Sequence, residues 1–271
     1  MSDFLETVIA ERKADAQAAR RTAIDLPRSG AARPSFAEAL RAKRAVGQVA
    51  VIAEVKRRSP ALGDLATDAD AVALACAYAE AGAAAISVLT EPRHWGGSVA
   101  DLAAVAAAVR IPVLYKDIVV DERQLTEAEA AGASAVLLIA EALDDATLAS
   151  FVRRATALGM TALVEAHEHR AFVRAVASGA TVIGVNARNL RVPAEIDPER
   201  IEALHQLARP DQLLVAESGI TSPADIRALP ARVDAVLVGT ALMRASDPSA
   251  LLRSLIDARR SRTEGSEGSR V

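Results

Sequence analysis

The sequence predicts an α/β protein, a (β/α)8 TIM barrel with an N-terminal helical extension. Three observations carry that expectation. Eight short apolar runs recur at intervals of roughly 20 to 34 residues, and most end in a polar residue. Each run is rich in Val, Ile, Leu and Ala without clean polar alternation, as expected of strands buried on both faces of a parallel sheet. Between them lie Ala/Arg/Glu/Leu-rich stretches long enough for one helix each.

Taken in chain order, residues 2–22 show helical spacing, with Phe4, Leu5 and Ile9 among charges. A second helical piece, Ser35–Lys43, follows Pro34. Ser35 suits its N-cap, and Glu38 completes a capping-box pattern. Spacing alone leaves two placements open for this leader of about 48 residues, a cap on the barrel's bottom or a flap at its mouth. The eight strands are expected at Val49–Lys56, Ala83–Thr90, Pro112–Ile118, Ser134–Ala140, Thr161–Ala166, Thr181–Asn186, Leu213–Ser218 and Ala235–Thr240. Three of them are entered through a helix, then Gly-Ala: Gly82-Ala83, Gly132-Ala133 and Gly179-Ala180. Glycine just past a helix end supplies the left-handed cap residue. Residues 1–258 are expected to form one barrel domain, with the leader included. Residues 259–271 have almost no apolar side chain and are expected to be a disordered tail.

Composition narrows the functional classes. The chain is 51% hydrophobic but only 3% aromatic, which suits layers of aliphatic side chains inside a barrel. A net charge of −3 with mixed signs gives no basis for nucleic-acid or membrane-surface binding. No apolar run is long enough to span a membrane, and the polar, acidic start does not resemble a signal peptide. A cytoplasmic protein is expected. Cys76, the one cysteine, lies in an Ala/Leu stretch and reads as a buried structural thiol.

In this fold the active site forms where the strands end, so Glu54, Lys56, Lys116, Glu165, Asn186, Glu217 and Ser218 should converge at one mouth. Glu54 and Lys56 are two apart on a strand and share a face with Ala50 and Ile52. Charges at the open end of such a face are costly unless paired or used. Burial among other cations would lower the pKa of Lys116 toward that of a useful general acid. Glu165 follows Ala162-Leu163-Val164, an apolar setting that suits a general base. Ser218-Gly219 after the seventh strand and Gly239-Thr240 after the eighth suggest a phosphate site, where this fold commonly places one. Glu165, His167 and His169 have a metal-like spacing, but the histidines fall in an exposed-looking helix start, so no metal is expected. His94 and His205 read as surface or packing residues.

Several segments together resemble the indole-3-glycerol phosphate synthase family of tryptophan biosynthesis. They are Ile52–Pro60, Ile86–Pro92, Trp95–Ser98, Leu163–Glu165, Gly184–Leu190, Val215–Ile220 and Leu237–Gly239, in register from about residue 4 to residue 257. The resemblance implies a leader helix near the active-site mouth, which favours the flap. It also implies conversion of 1-(2-carboxyphenylamino)-1-deoxyribulose 5-phosphate, a phosphosugar-anthranilate, to indole-3-glycerol phosphate, with loss of CO2 and water and without cofactor or metal. By the same resemblance, Lys116 is the general acid of ring closure, Glu165 the acid-base of dehydration, and Lys56 a second donor that pairs with the substrate carboxylate and is oriented by Glu54. Asn186 and Glu217 would position hydroxyls. Ser59, Pro60, Trp95, Ile118, Arg188, Ser218 and Leu237 would bind substrate, and Gly219, Gly239 and Thr240 the phosphate.

Tyr115 and Ile118 depart from the family's usual Arg and Phe, and Ala61-Leu62 from its Ser-Lys. Aromatic stacking worth about 0.5–1.5 kcal/mol is lost at Ile118, and Trp95, in place of the usual Phe, offers a larger face. These departures keep one alternative in view, a specialised paralogue acting on a modified anthranilate; a second, a phosphosugar barrel like phosphoribosylanthranilate isomerase, is disfavoured by the retained Lys56, Lys116 and Glu165 and by the long leader. A non-catalytic scaffold is disfavoured, because both lysines persist. No large apolar stripe is reserved for a partner, so a monomer or weak homo-oligomer is expected.

Overall fold

A computed structural model of the chain describes residues 3–19 and 33–258. Residues 20–22 of the expected first helix and the expected tail at 259–271 lie outside the described residues. Eight parallel strands close a barrel: β1 (Ala50–Val55), β2 (Ala85–Leu89), β3 (Val113–Lys116), β4 (Ala135–Ile139), β5 (Thr161–Ala166), β6 (Val182–Asn186), β7 (Leu213–Glu217) and β8 (Ala235–Val238). Each pairs with its neighbours in sequence, and β1 closes the ring against β8 with Ala50 opposite Ala235. Parallel neighbours need a long crossover between them, and each intervening segment supplies one with a helix.

Strand parity divides the core in two. Ile52, Leu114, Leu137, Leu163, Val182, Val215 and Leu237 fill the barrel interior. Their neighbours Val51, Val113, Tyr115, Val136, Val164, Ile183, Leu214 and Val236 face the surrounding helices. Following the inward parity to the strand ends leads to Glu54, Lys116, Glu165, Asn186 and Glu217. The same parity places Tyr115 on the outer face, fully buried, with its hydroxyl near Asp117 and Glu127 at 3.2 Å each. Tyr115 is therefore not among the residues that line the barrel mouth, and it reaches the mouth only through its hydrogen bond to Asp117.

The leader occupies both ends of the barrel. Helix α1 (Phe4–Ala19) lies at the mouth, where Phe4 packs edge-on against Trp95 at 5.8 Å. Helix α2 (Phe36–Ala45) plugs the bottom, burying Phe36 and Leu40 in the interior core, and Arg44 reaches Asp234 just before β8. Each of the two placements left open by the sequence thus holds for one of its helices. Ser35 caps α2 by accepting from the Glu38 amide, but the Glu38 side chain pairs with Arg41, so only half the expected capping box forms. The helix-Gly-Ala junctions form as expected, with φ of +100° at Gly82, +88° at Gly132 and +89° at Gly179. Cys76 is half-buried rather than buried. It sits on α3 (Ala71–Glu80), whose inner face is Ala71, Ala75 and Tyr78.

Candidate active site

A cavity of about 470 Å³ opens at the C-terminal ends of the strands. Glu54, Lys56, Lys116, Glu165, Asn186, Glu217, Ser218, Trp95, Ile118, Arg188, Leu237, Gly219, Gly239 and Thr240 all line it. Ser59 and Pro60 line a smaller adjoining recess instead, beneath Leu5 and Val8 of α1 and next to Trp95 and Ile118.

The charged groups form one connected cluster. Lys116 Nζ donates to Glu217 Oε2 at 2.8 Å and lies 3.6 Å from Glu165 Oε2 and 3.7 Å from Glu54 Oε2. Lys56 Nζ is 2.8 Å from Glu54 Oε1. Asn186 Nδ2 donates to Glu165 Oε1 at 2.8 Å, and Asn186 Oδ1 accepts from Ser218 Oγ and from the Arg188 amide. The Asn186 amide is thereby oriented, and it in turn fixes the Glu165 carboxyl.

The electrostatics differ from the expectation for Lys116. Burial favours its neutral amine, but the charges of Glu217, Glu165 and Glu54 outweigh burial and hold its pKa above the usual lysine value. Burial would also raise Glu54, yet Lys56 and Lys116 hold its carboxyl below the ordinary range. Glu217 is the carboxyl driven well up, by burial first and then by the charge of Glu165. Glu217 Oε1 and Glu165 Oε2 are both buried without a hydrogen-bond partner among the described residues. A proton held by Glu217 fits this direction and balances two lysines against two remaining carboxylates. A glutamine at 217 keeps the donor and cannot ionise. A raised folded pKa stabilises fully below the unfolded pKa, and that contribution is lost as pH rises through the folded value. Glu217→Gln is therefore expected to lose less stability than the wild type on the alkaline side, measured as melting temperature across a pH series. Parallel curves would exclude a proton at this position.

Two glycines make room for the carboxyls. A Cβ on Gly184 would lie 2.3 Å from Glu217 Oε1, and one on Gly239 would lie 2.3 Å from Glu54 Oε1. Gly239 thus has a packing role that the phosphate reading did not include. After β7 the chain turns sharply through Ser218 (φ +67°) and Gly219 (φ +82°), Ser218 being the one non-glycine with positive φ among the described residues. Such a conformation is held against strain by its surroundings, here by the Ser218–Asn186 hydrogen bond. The helix Pro223–Ala228 then starts with a full capping box between Ser222 and Asp225.

Sequence reasoning missed Glu91, Asp117, Leu137, Ile139 and Leu190, which also line the cavity. Glu91 is buried, and its carboxylate accepts from the backbone amides of Arg93, His94 and Trp95, fixing the loop that carries the indole. Its place immediately after β2 was an available signal. Asp117 is also buried, and burial pushes its carboxyl up to about 6 against the pull of Arg12. His167 is buried, not exposed, with Nδ1 3.0 Å from Glu141, and His169 opens the helix His169–Ala177, so among the described residues the two histidines form no metal-ligand group with Glu165. His94 packs edge-on against Phe4 at 5.1 Å.

Fold and cavity define a (β/α)8-barrel protein with an acid-base cluster at the C-terminal mouth. The family model described as indole-3-glycerol phosphate synthase matches residues 5–255. The chain belongs to the indole-3-glycerol phosphate synthase family, whose members are carboxy-lyases. Curated relatives of that name include one from Parafrankia sp., 51% identical over 78% of this chain and 79% of its own length. One from Streptomyces griseus is 46% identical over 94% of this chain and 93% of its own. Among solved structures, a ligand-free tryptophan synthase from M. tuberculosis superposes with a TM-score of 0.62 at 15% identity, covering 84% of this chain and 99% of that one. The 3-hexulose-6-phosphate synthase from Salmonella typhimurium gives 0.63 at 18% identity over 78% and 98%. These two show the barrel fold alone. No helix among the described residues is long and apolar enough to cross a membrane.

Proposed function

We propose that this chain closes the indole ring of 1-(2-carboxyphenylamino)-1-deoxyribulose 5-phosphate, giving indole-3-glycerol phosphate, CO2 and water. The observation that carries the reading is the Lys116 ammonium held among three carboxyl groups in the cavity. Its raised pKa keeps it charged at neutral pH. It acts as general acid at the ribulose carbonyl and stabilises the negative charge that develops on that oxygen. Glu165, oriented by Asn186, serves the dehydration. Lys56, oriented by Glu54, pairs with the substrate carboxylate and is the second proton donor; Ser59 and Arg188 help hold that carboxylate. Asn186 and Glu217 position hydroxyls, with Ser218 fixing Asn186. Pro60, Trp95, Ile118 and Leu237 form apolar walls for the aryl ring and chain. Gly219, Gly239 and Thr240 take the phosphate, which supplies remote binding energy to hold the bent conformer.

The reading includes a single domain over residues 1–258, cofactor-free chemistry, a cytoplasmic location, a monomer or weak homo-oligomer, and no nucleic-acid or membrane partner. Incubating the purified protein with this substrate and chelator, while following indole fluorescence, is expected to show a steady rise. A flat trace from folded protein would reject the proposal. Ring-substituted analogues would then test a retuned aryl site at Ile118 and Trp95, and the isomerase substrate would test that alternative.

A further inference from the structure

Several ion pairs tie the leader to the mouth, and they differ in depth. Arg93–Asp15 and Arg191–Asp3 are partly exposed, with arginines 46% and 39% open to solvent, where such pairs contribute less. Arg12–Asp117 is different: its side chains are 12% and 0% exposed. Arg12 Nε donates to Asp117 Oδ1 and Nη2 to Oδ2, each at 2.9 Å, a bidentate fork between residues 105 positions apart. Asp117 also accepts from Thr90 Oγ1 at 2.8 Å, from the Ile118 amide at 2.7 Å and from the Tyr115 hydroxyl at 3.2 Å. It is therefore a fixed point at the end of β3, directly between Lys116 and Ile118, both of which line the cavity.

We infer that Arg12 is a positioning residue for the proposed reaction: by clamping Asp117 it makes the placement of Lys116 and Ile118 depend on the seating of α1. The inference rests on the ring-closure reading. Removing the guanidinium leaves a buried carboxylate without its cation, and the strand end must relax or take up a proton. Small displacements of a catalytic group are costly to turnover. A purely structural anchor would lower stability and leave turnover per folded molecule unchanged.

The test compares Arg12→Gln, Arg12→Lys, Asp117→Asn and the Arg12→Gln/Asp117→Asn double variant, with Arg93→Gln as the surface control. Steady-state kcat and KM are read beside the emission of Trp95, the chain's only tryptophan and a neighbour of Phe4 on α1. Arg12→Gln is expected to lower kcat about tenfold or more and to red-shift Trp95. Arg12→Lys, which keeps the charge but not the fork, should recover part of kcat. The double variant should be no slower than the slower single variant, and Arg93→Gln should match the wild type. A wild-type kcat in Arg12→Gln, or losses that multiply in the double variant, would overturn the inference. Should Arg12→Gln not fold, a wild-type kcat in Arg12→Lys would overturn it. Wild-type turnover, measured first, tests the reaction itself. An unshifted Trp95 spectrum in folded Arg12→Gln counts against the coupling whether or not the wild type turns over.

Discussion

Replacing Lys116 with alanine is expected to lower kcat by about 10³-fold or more, with a far smaller change in KM. Among the described residues, its ammonium is the one cation that pairs with Glu54, Glu165 and Glu217 together. Removing it takes away the proton donor and the charge that offsets three buried carboxyls at once. Lys56 alone, bound to Glu54, cannot neutralise the other two. The variant should fold by taking up protons on its carboxyls, at a pH-dependent cost in stability. Initial rates by indole fluorescence, with melting temperature as the folding control, decide the matter. A folded variant within tenfold of wild-type kcat would remove Lys116 from the chemistry.

Gly184→Ala is expected to separate activity from stability. The added Cβ meets Glu217 Oε1 at 2.3 Å, while its next contacts, Leu163 Cδ1 at 3.4 Å and Glu165 Cα at 3.5 Å, are near ordinary packing distance. The atom that must move is the end of a flexible side chain, so the stability change should stay under about 1 kcal/mol. That same atom belongs to the carboxyl that holds Lys116 at 2.8 Å, so kcat should fall about 10²-fold. Thermal unfolding and steady-state kinetics on one preparation give both numbers. A variant as active as the wild type would mean that Glu217 need not stand where it does.

Much of this was legible in the chain because barrel strands obey a simple parity. Once eight apolar runs are placed, every second residue faces inward, and Glu54, Lys116, Glu165, Asn186 and Glu217 fall at the open ends without further information. The same rule assigns Tyr115 to the other face from Lys116, and so places that departure behind the site and not in its lining. Other features depend on contacts that local pattern does not encode. The direction of the Lys116 shift is set by Glu217, Glu165 and Glu54, on β7, β5 and β1, whose distances to the ammonium are fixed only by the closed barrel. Arg12 sits in a helix whose spacing shows an amphipathic face and nothing of its partner at Asp117. His167 reads as exposed because it stands among Glu168, His169 and Arg170, yet the fold turns its ring onto buried Glu141.

Gly184 and Gly239 also bear on how such a barrel changes over evolutionary time. Gly184 stands on β6 beside the strand that carries Glu217, and Gly239 directly follows β8, the neighbour of the strand that carries Glu54. The interior has given up two side chains so that two acidic ones can lie across the vacated volume. The positions are therefore linked in pairs, and neither member is free to vary alone. A relative that has exchanged Glu217 for a small residue can refill position 184 with an aliphatic one and recover core packing. A lineage that keeps the carboxylate must keep the glycine. Joint substitution at 184 with 217 and at 239 with 54 is the signature to expect where a descendant barrel has abandoned this chemistry for another.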